Sequence, residues 1–104
     1  MRYEIVNIAS YEIDDFIKKN FNILIVDVRS YREYKAGHIR GAVNIPYDNL
    51  QKELKITNND TIVLVYCSRG GRSMRAAKIL YYKGYKVVNV VGGLKEYNGK
   101  NIVK

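Results

Sequence analysis

Hydrophobic residues along this chain fall into two kinds of pattern. Three short runs are mostly apolar and rich in β-branched residues: "ILIVDV" (23–28), "TIVLVY" (61–66) and "KVVNV" (86–90). Runs of that length and character mark strands, and those covered by neighbours on both faces lose the usual polar alternation. "AVNIP" (42–46) reads as a shorter strand closed by the only proline. Between these runs the apolar residues recur at helical spacing. "YEIDDFIKKN" puts Ile13, Phe16 and Ile17 on one face, with Ser10 placed to cap the helix. "SYREYKAG" reads as a short helix stopped by Gly37, "YDNLQKEL" as another, and "RSMRAAKILYYKG" as a longer one ended by Gly84. "GGLKEYNG" reads as a turn followed by a short helix.

Strands separated by helices cannot be joined as hairpins. They pair in parallel through right-handed crossovers, with helices on both faces of the sheet. The expected fold class is therefore α/β. In such sheets the active site lies outside the carboxyl ends of the strands. Cys67 directly follows the 61–66 run and belongs to that edge. No repeat, linker or low-complexity stretch interrupts the 104 residues, so a single domain, 1–104, is expected.

Composition narrows the class. Hydrophobic residues make up 47% of the chain, enough to build a core. One cysteine excludes an internal disulfide, and with one histidine it builds no zinc site, so no metal or cofactor is expected. No apolar run approaches the ~20 residues that span a bilayer. The first residues, "MRYEIVNIAS", lack a long apolar signal region, which leads to the expectation of a cytoplasmic protein without a membrane partner. A monomer or weak dimer is expected.

Charge points toward the cysteine. The net charge is +8, yet residues 1–60 carry nine basic and nine acidic side chains, while residues 61–104 carry nine basic and one acidic, Glu96. A basic protein can bind nucleic acid. This one has no aromatic-basic RNA motif, zinc-finger spacing or long basic run, so no nucleic-acid partner is expected. A field that draws small anions toward Cys67 fits the asymmetry better. Lys78, Lys83 and Lys86 read as solvated lysines on helix surfaces.

The sequence "VYCSRGGRS" (65–73) then raises three readings for Cys67: a small buried hydrophobe, a metal ligand or a nucleophile. Gly70 and Gly71 let the backbone curl from strand into helix and keep bulk off the concave side. Successive N–H groups can then converge on one point at a helix N-terminus, a nest for an anion. Arg72 closes the ring and Arg69 projects from its middle. A thiol in that setting ionises more readily than a free one. A cysteine–histidine pair would require His38, but the arginine-rich ring makes a base unnecessary. His38 reads as a structural hydrogen-bonding residue.

Three segments, taken in order, resemble the hallmark segments of rhodanese-like domains: "DVRSYREYKAGHIRGAVNIP" (27–46), "VYCSRGGRSMRAAKIL" (65–80) and "GYKVVNVVGGLKEY" (84–97). The likeness covers about residues 3–98. It implies a central parallel five-stranded sheet with helices on both faces. It also implies a thiosulfate sulfurtransferase in which Cys67 takes a sulfane sulfur from a small anionic donor and holds it as a persulfide. The acceptor would be cyanide, a thiol or a protein. Ser68, Arg69, Gly70, Gly71, Arg72 and Ser73 would bind substrate and persulfide. Asp27 and Arg29 would support the cleft through charge pairs, with Glu33 as a candidate partner. "GG" (92–93) would form a tight turn at the rim. Many relatives carry tryptophan where Tyr97 stands, a change of packing.

A sulfur-relay carrier fed by a desulfurase is compatible with the same loop. The fold is shared with dual-specificity phosphatases and arsenate reductases, whose cysteine-to-arginine loop is one residue longer. Cys67 to Arg72 inclusive is six residues, a ring sized for a persulfide sulfur rather than a tetrahedral oxyanion.

Overall fold

A computed structural model describes residues 4–56 and 58–104. Residues 1–3 of the expected domain, with the first residue of the resemblance, lie outside the described residues. The chain opens with β1 (Val6–Ala9), a 3-10 turn (Ser10–Glu12) and α1 (Ile13–Lys19). β2 (Ile23–Asp27) and α2 (Tyr31–Ala36) follow, then the two-residue strands β3 (His38–Ile39) and β4 (Val43–Asn44). A 3-10 turn (Tyr47–Asn49) leads into α3 (Leu50–Glu53) and then β5 (Ile62–Tyr66). α4 (Gly71–Tyr82), β6 (Lys86–Val91), a 3-10 turn (Leu94–Glu96) and β7 (Ile102–Val103) complete the fold.

Five strands form one sheet in the order β1-β6-β5-β2-β4, and every pairing in it is parallel. The expected five-stranded α/β architecture is therefore present. β5 lies at the centre, which explains why its sequence is apolar throughout. Its side chains alternate between two cores. Val63, Val65 and Cys67 join Leu50 of α3 and Ala76, Ala77 and Leu80 of α4 on one face. Leu64 and Tyr66 join Ile13 of α1, with Ile39 and Ala42, on the other, where Tyr34 of α2 packs at the margin. Each fully buried Val or Leu in these layers stabilises the fold by about 1.5–3 kcal/mol.

The structure departs from the sequence reading in three places. Ser10 does not cap a helix by accepting an N–H. It lies within the first 3-10 turn, is buried, and points its hydroxyl at the carbonyls of Gly93 (2.6 Å) and Val91 (3.2 Å). The Ala9 amide is instead met by Glu12 Oε1 at 2.8 Å. β1 is an edge strand with exposed Val6, so its apolar signal is weak and only its pairing with β6 defines it. β7 pairs antiparallel with β3, two residues each, too short for any periodicity to reveal. Among the described residues, no helix is long and apolar enough to cross a membrane.

Candidate active site

The loop between β5 and α4 delivers the cysteine to the carboxyl edge of the sheet. Cys67 is 1% exposed. Gly70 turns the chain with φ of 114°, a left-handed conformation that a side chain would resist. Gly71 does not share that need. It begins α4, and a Cβ there would meet no atom within 4 Å. Its missing side chain leaves space at the cleft instead of permitting a turn. The Gly70 N–H donates to Cys67 Sγ at 3.0 Å. The Ser73 hydroxyl lies 3.6 Å from the sulfur and 3.2 Å from the Gly70 carbonyl oxygen.

A second turn holds this loop from behind. The amides of Leu94 and Lys95 donate to the carbonyls of Cys67 (2.8 Å) and Ser68 (2.9 Å). Those carbonyls are thereby satisfied away from the sulfur. Gly93 makes the approach possible: its φ is 65°, and a Cβ there would fall 2.6 Å from the Cys67 oxygen and closer still to the Ser68 carbonyl. The Gly92–Gly93 turn is thus a close backbone-to-backbone contact. Ser10 fastens the same turn through the Gly93 carbonyl.

Burial alone would push the Cys67 thiol toward its neutral form. The hydrogen bond with the Ser73 hydroxyl and those from the amides of Ser73, Gly70 and Arg69 outweigh it, and the pKa falls below the ordinary thiol value. The sequence supplied the direction of that shift. Ser73, from the first turn of α4, contributes both a hydroxyl and an amide to it.

Glu33 is the junction between the loop and α2. It occupies the third helical position, where it closes a capping box with Ser30: the Ser30 amide donates to its Oε1 at 3.0 Å. The same carboxylate takes both arms of the Arg72 guanidinium, at 2.9 and 3.1 Å, and the Ser68 hydroxyl at 2.7 Å. The Arg72 bonds, with help from Ser68 and Ser30, hold the Glu33 carboxyl well below the usual carboxylate range, against its partial burial. Arg72 is raised in turn by the same hydrogen bonds.

Asp27 and Arg29 pair with each other and not with Glu33. Arg29 donates to Asp27 through Nε (3.0 and 3.1 Å) and Nη2 (2.7 Å), and Nη2 also reaches the Gly37 carbonyl at 2.6 Å. Asp27 is 0% exposed. The Arg29 guanidinium lies 5.7 Å from the centre of the Tyr66 ring and borders the cleft. His38 stacks on Tyr34 with ring centres 3.7 Å apart, and its Nδ1 lies 2.8 Å from the Tyr34 carbonyl oxygen. It does not line the cleft around Cys67. Tyr97 is more than packing: its hydroxyl donates to Asp14 at 2.6 Å and accepts from the Asn101 amide at 2.9 Å.

The resulting cleft has a volume of about 740 Å³, with Cys67 and Ser68 at its floor and Arg69, Arg72, Arg75 and Lys95 around it. Arg69 makes no ion pair among the described residues, and its side chain is exposed. Arg75 and Lys95 were not singled out from sequence. Arg75 could have been, since it follows Arg72 by one helical turn. Lys95 depends on the fold, because its place is set by its amide bond to Ser68. Among the described residues, no cluster of three or more His, Cys, Asp or Glu could hold a metal ion.

The Rhodanese-like domain family matches residues 11–100. Two solved structures superpose along nearly their whole lengths. The protein SSP1007 of Staphylococcus saprophyticus is 30% identical with a TM-score of 0.85, covering 96% of this chain and 100% of that one. A rhodanese-like domain protein of Staphylococcus aureus is 28% identical with a TM-score of 0.84, covering 95% and 97%. Among curated relatives, the Bacillus subtilis protein YrkF, provisionally named a sulfur carrier protein, is 38% identical over 73% of this chain and 42% of its own length. YtwF of Bacillus subtilis, provisionally named a sulfurtransferase, is 30% identical over 93% of this chain and 94% of its own. Several first relatives are longer: this chain spans 26% of a Porphyra purpurea protein provisionally named a molybdopterin-synthase adenylyltransferase. With the cysteine loop, its bracing turn and the five-stranded parallel sheet all in place, the chain belongs to the rhodanese-like family.

Proposed function

We propose that this protein is a sulfurtransferase that moves a sulfane sulfur from thiosulfate, or a similar anionic donor, to a thiophilic acceptor through a persulfide on Cys67. The observation that carries the reading is the Gly70 N–H at 3.0 Å from Cys67 Sγ, at the floor of a cationic cleft. The Cys67 thiolate attacks the outer sulfur of the donor. A new S–S bond forms, the donor's own S–S bond breaks, and sulfite leaves with the electron pair. The persulfide's terminal sulfur carries the negative charge and lies among the loop amides, which stabilise it electrostatically. The acceptor's nucleophile then attacks that terminal sulfur, and Cys67 departs as the thiolate it began as. Arg69 is the cation open to the donor's oxygens; Arg72 adds charge at the loop with its guanidinium engaged by Glu33. Treatment with thiosulfate should add the mass of one sulfur atom to Cys67, and cyanide should remove it. An unmodified Cys67 after that treatment would sink the thiosulfate reading.

A relay role is supported by the similarity to YrkF, and the single cysteine is compatible with either role. With no second thiol, a persulfide cannot resolve into an internal disulfide and must pass to an outside acceptor. Comparing turnover on thiosulfate with transfer from a purified desulfurase separates the two. Faster loading from the desulfurase favours the relay.

A further inference from the structure

Glu33 is the one carboxylate among the described residues that line the cleft, beside Arg29, Arg69, Arg72, Arg75 and Lys95. It is bound to Arg72, the arginine that closes the cysteine loop, whose planar fork could clamp an oxyanion. Both guanidinium arms of Arg72 end on it, at 2.9 and 3.1 Å, and Arg72 Nη2 also lies 3.3 Å from the Ser68 hydroxyl. The fork geometry that grips a carboxylate is the one that grips a phosphate or sulfate, so the two compete for the same donors. The carboxylate is itself anchored from α2, through the Ser30 amide, so it does not swing away with a small cost in side-chain freedom alone. A tetrahedral oxyanion seated over the Cys67 sulfur would have to displace Glu33 and then sit beside its charge. A donor that inserts only a terminal sulfur, with its oxygens outward near Arg69, meets neither obstacle.

We propose that Glu33 sets the anion selectivity of the cleft. By filling the Arg72 fork it excludes phosphate-class oxyanions from the cysteine loop while leaving the loop amides open to a single sulfur atom. The inference rests on the sulfur-transfer reading for what the cleft admits, but its test uses no sulfur transfer. Glu33 acts through Arg72 and is a positioning residue, not a catalytic one.

The readout is protection of Cys67 from iodoacetamide by inorganic phosphate, at constant ionic strength and pH. Glu33→Gln is the informative variant, because Gln at the third helical position retains the capping box while removing the charge. One unit charge removed at contact distance in a partly exposed site changes anion affinity by about tenfold or more. Glu33→Gln is therefore expected to be protected at phosphate concentrations about tenfold below those needed for the wild type. The gain is expected to vanish in Glu33→Gln combined with Arg72→Ala. Equal phosphate dependence in wild type and Glu33→Gln overturns the proposal, and so does a gain that survives loss of Arg72. Should Glu33→Gln not fold, Glu33→Ala takes its place with the same two outcomes, since it likewise removes the charge and frees the Arg72 fork. Loss of sulfur transfer in the wild type would bear on the proposed function and leave this result standing.

Discussion

The Gly70 amide donates to the Cys67 sulfur across 3.0 Å, from a residue whose backbone is left-handed. This one contact joins the chain's turn chemistry to its proposed reaction. The conformation that only glycine adopts easily is what aims the N–H inward.

The first expectation concerns the nucleophile. Cys67→Ser should abolish thiosulfate:cyanide sulfur transfer and leave the fold intact, since Ser is nearly isosteric. Steady-state assay and circular dichroism check both halves. Retained transfer in a folded Cys67→Ser protein would overturn the assignment of Cys67.

The second concerns pH. Because the folded thiol titrates below its ordinary range of about 8.5, the alkylation rate of Cys67 should reach half its plateau at lower pH than in the unfolded chain. Ser73→Ala removes the sulfur's side-chain hydrogen-bond partner and should move that midpoint upward. The same shift has a sign in stability. A depressed folded pKa adds stability that is fully present above the unfolded value and is lost as pH falls through the folded one. Wild type minus Cys67→Ser, measured by denaturant unfolding at several pH values, should show that increment growing toward alkaline pH.

Two glycines should behave in opposite ways. Gly93→Ala forces a Cβ against the Cys67 and Ser68 carbonyls at φ of 65°, and should cost on the order of 2–4 kcal/mol with loss of transfer. Gly71→Ala meets no atom within 4 Å and sits at the start of α4, so it should be neutral or stabilising by up to about 1 kcal/mol. Thermal unfolding of the pair distinguishes them, and equal Tm changes would contradict the brace.

The Asp27–Arg29 pair should dominate over the exposed ion pairs. Arg29→Ala leaves the fully buried Asp27 carboxylate without its guanidinium and should cost about 3–5 kcal/mol. Lys19→Ala breaks the exposed pair with Asp15 and should cost about 0.5 kcal/mol or less. Urea midpoints of the two variants provide the comparison.

Much of this molecule could be read from its sequence. β2, β5 and β6 were legible because burial on both faces leaves each a short, largely apolar run, and α4 because it is long enough for its helical period to stand out. The cysteine loop was legible because thiol, glycines and arginines are adjacent in the chain. What escaped notice depends on distant residues meeting. Glu33 reads from the sequence as a candidate partner for Asp27 and Arg29, and its true partner, Arg72, emerges only when β2 and β5 pair side by side and bring α2 against the loop. Gly93 looks like a plain turn residue until its carbonyl neighbours 25 and 26 positions away are known to be Ser68 and Cys67. Ser10 fits a cap by type and spacing, yet the turn after β6 outcompetes the helix for its hydroxyl.

The alternation along β5 has a consequence for how such a chain can change. Cys67 shares a face with Val63 and Val65, while Tyr66 shares the opposite one with Leu64. A single residue inserted or removed between 62 and 67 would exchange those faces, sending a phenol toward the cleft and the thiol toward α1. The reactive atom is therefore assigned by odd and even. Length changes in this strand can preserve the chemistry only in steps of two, whatever residues are used.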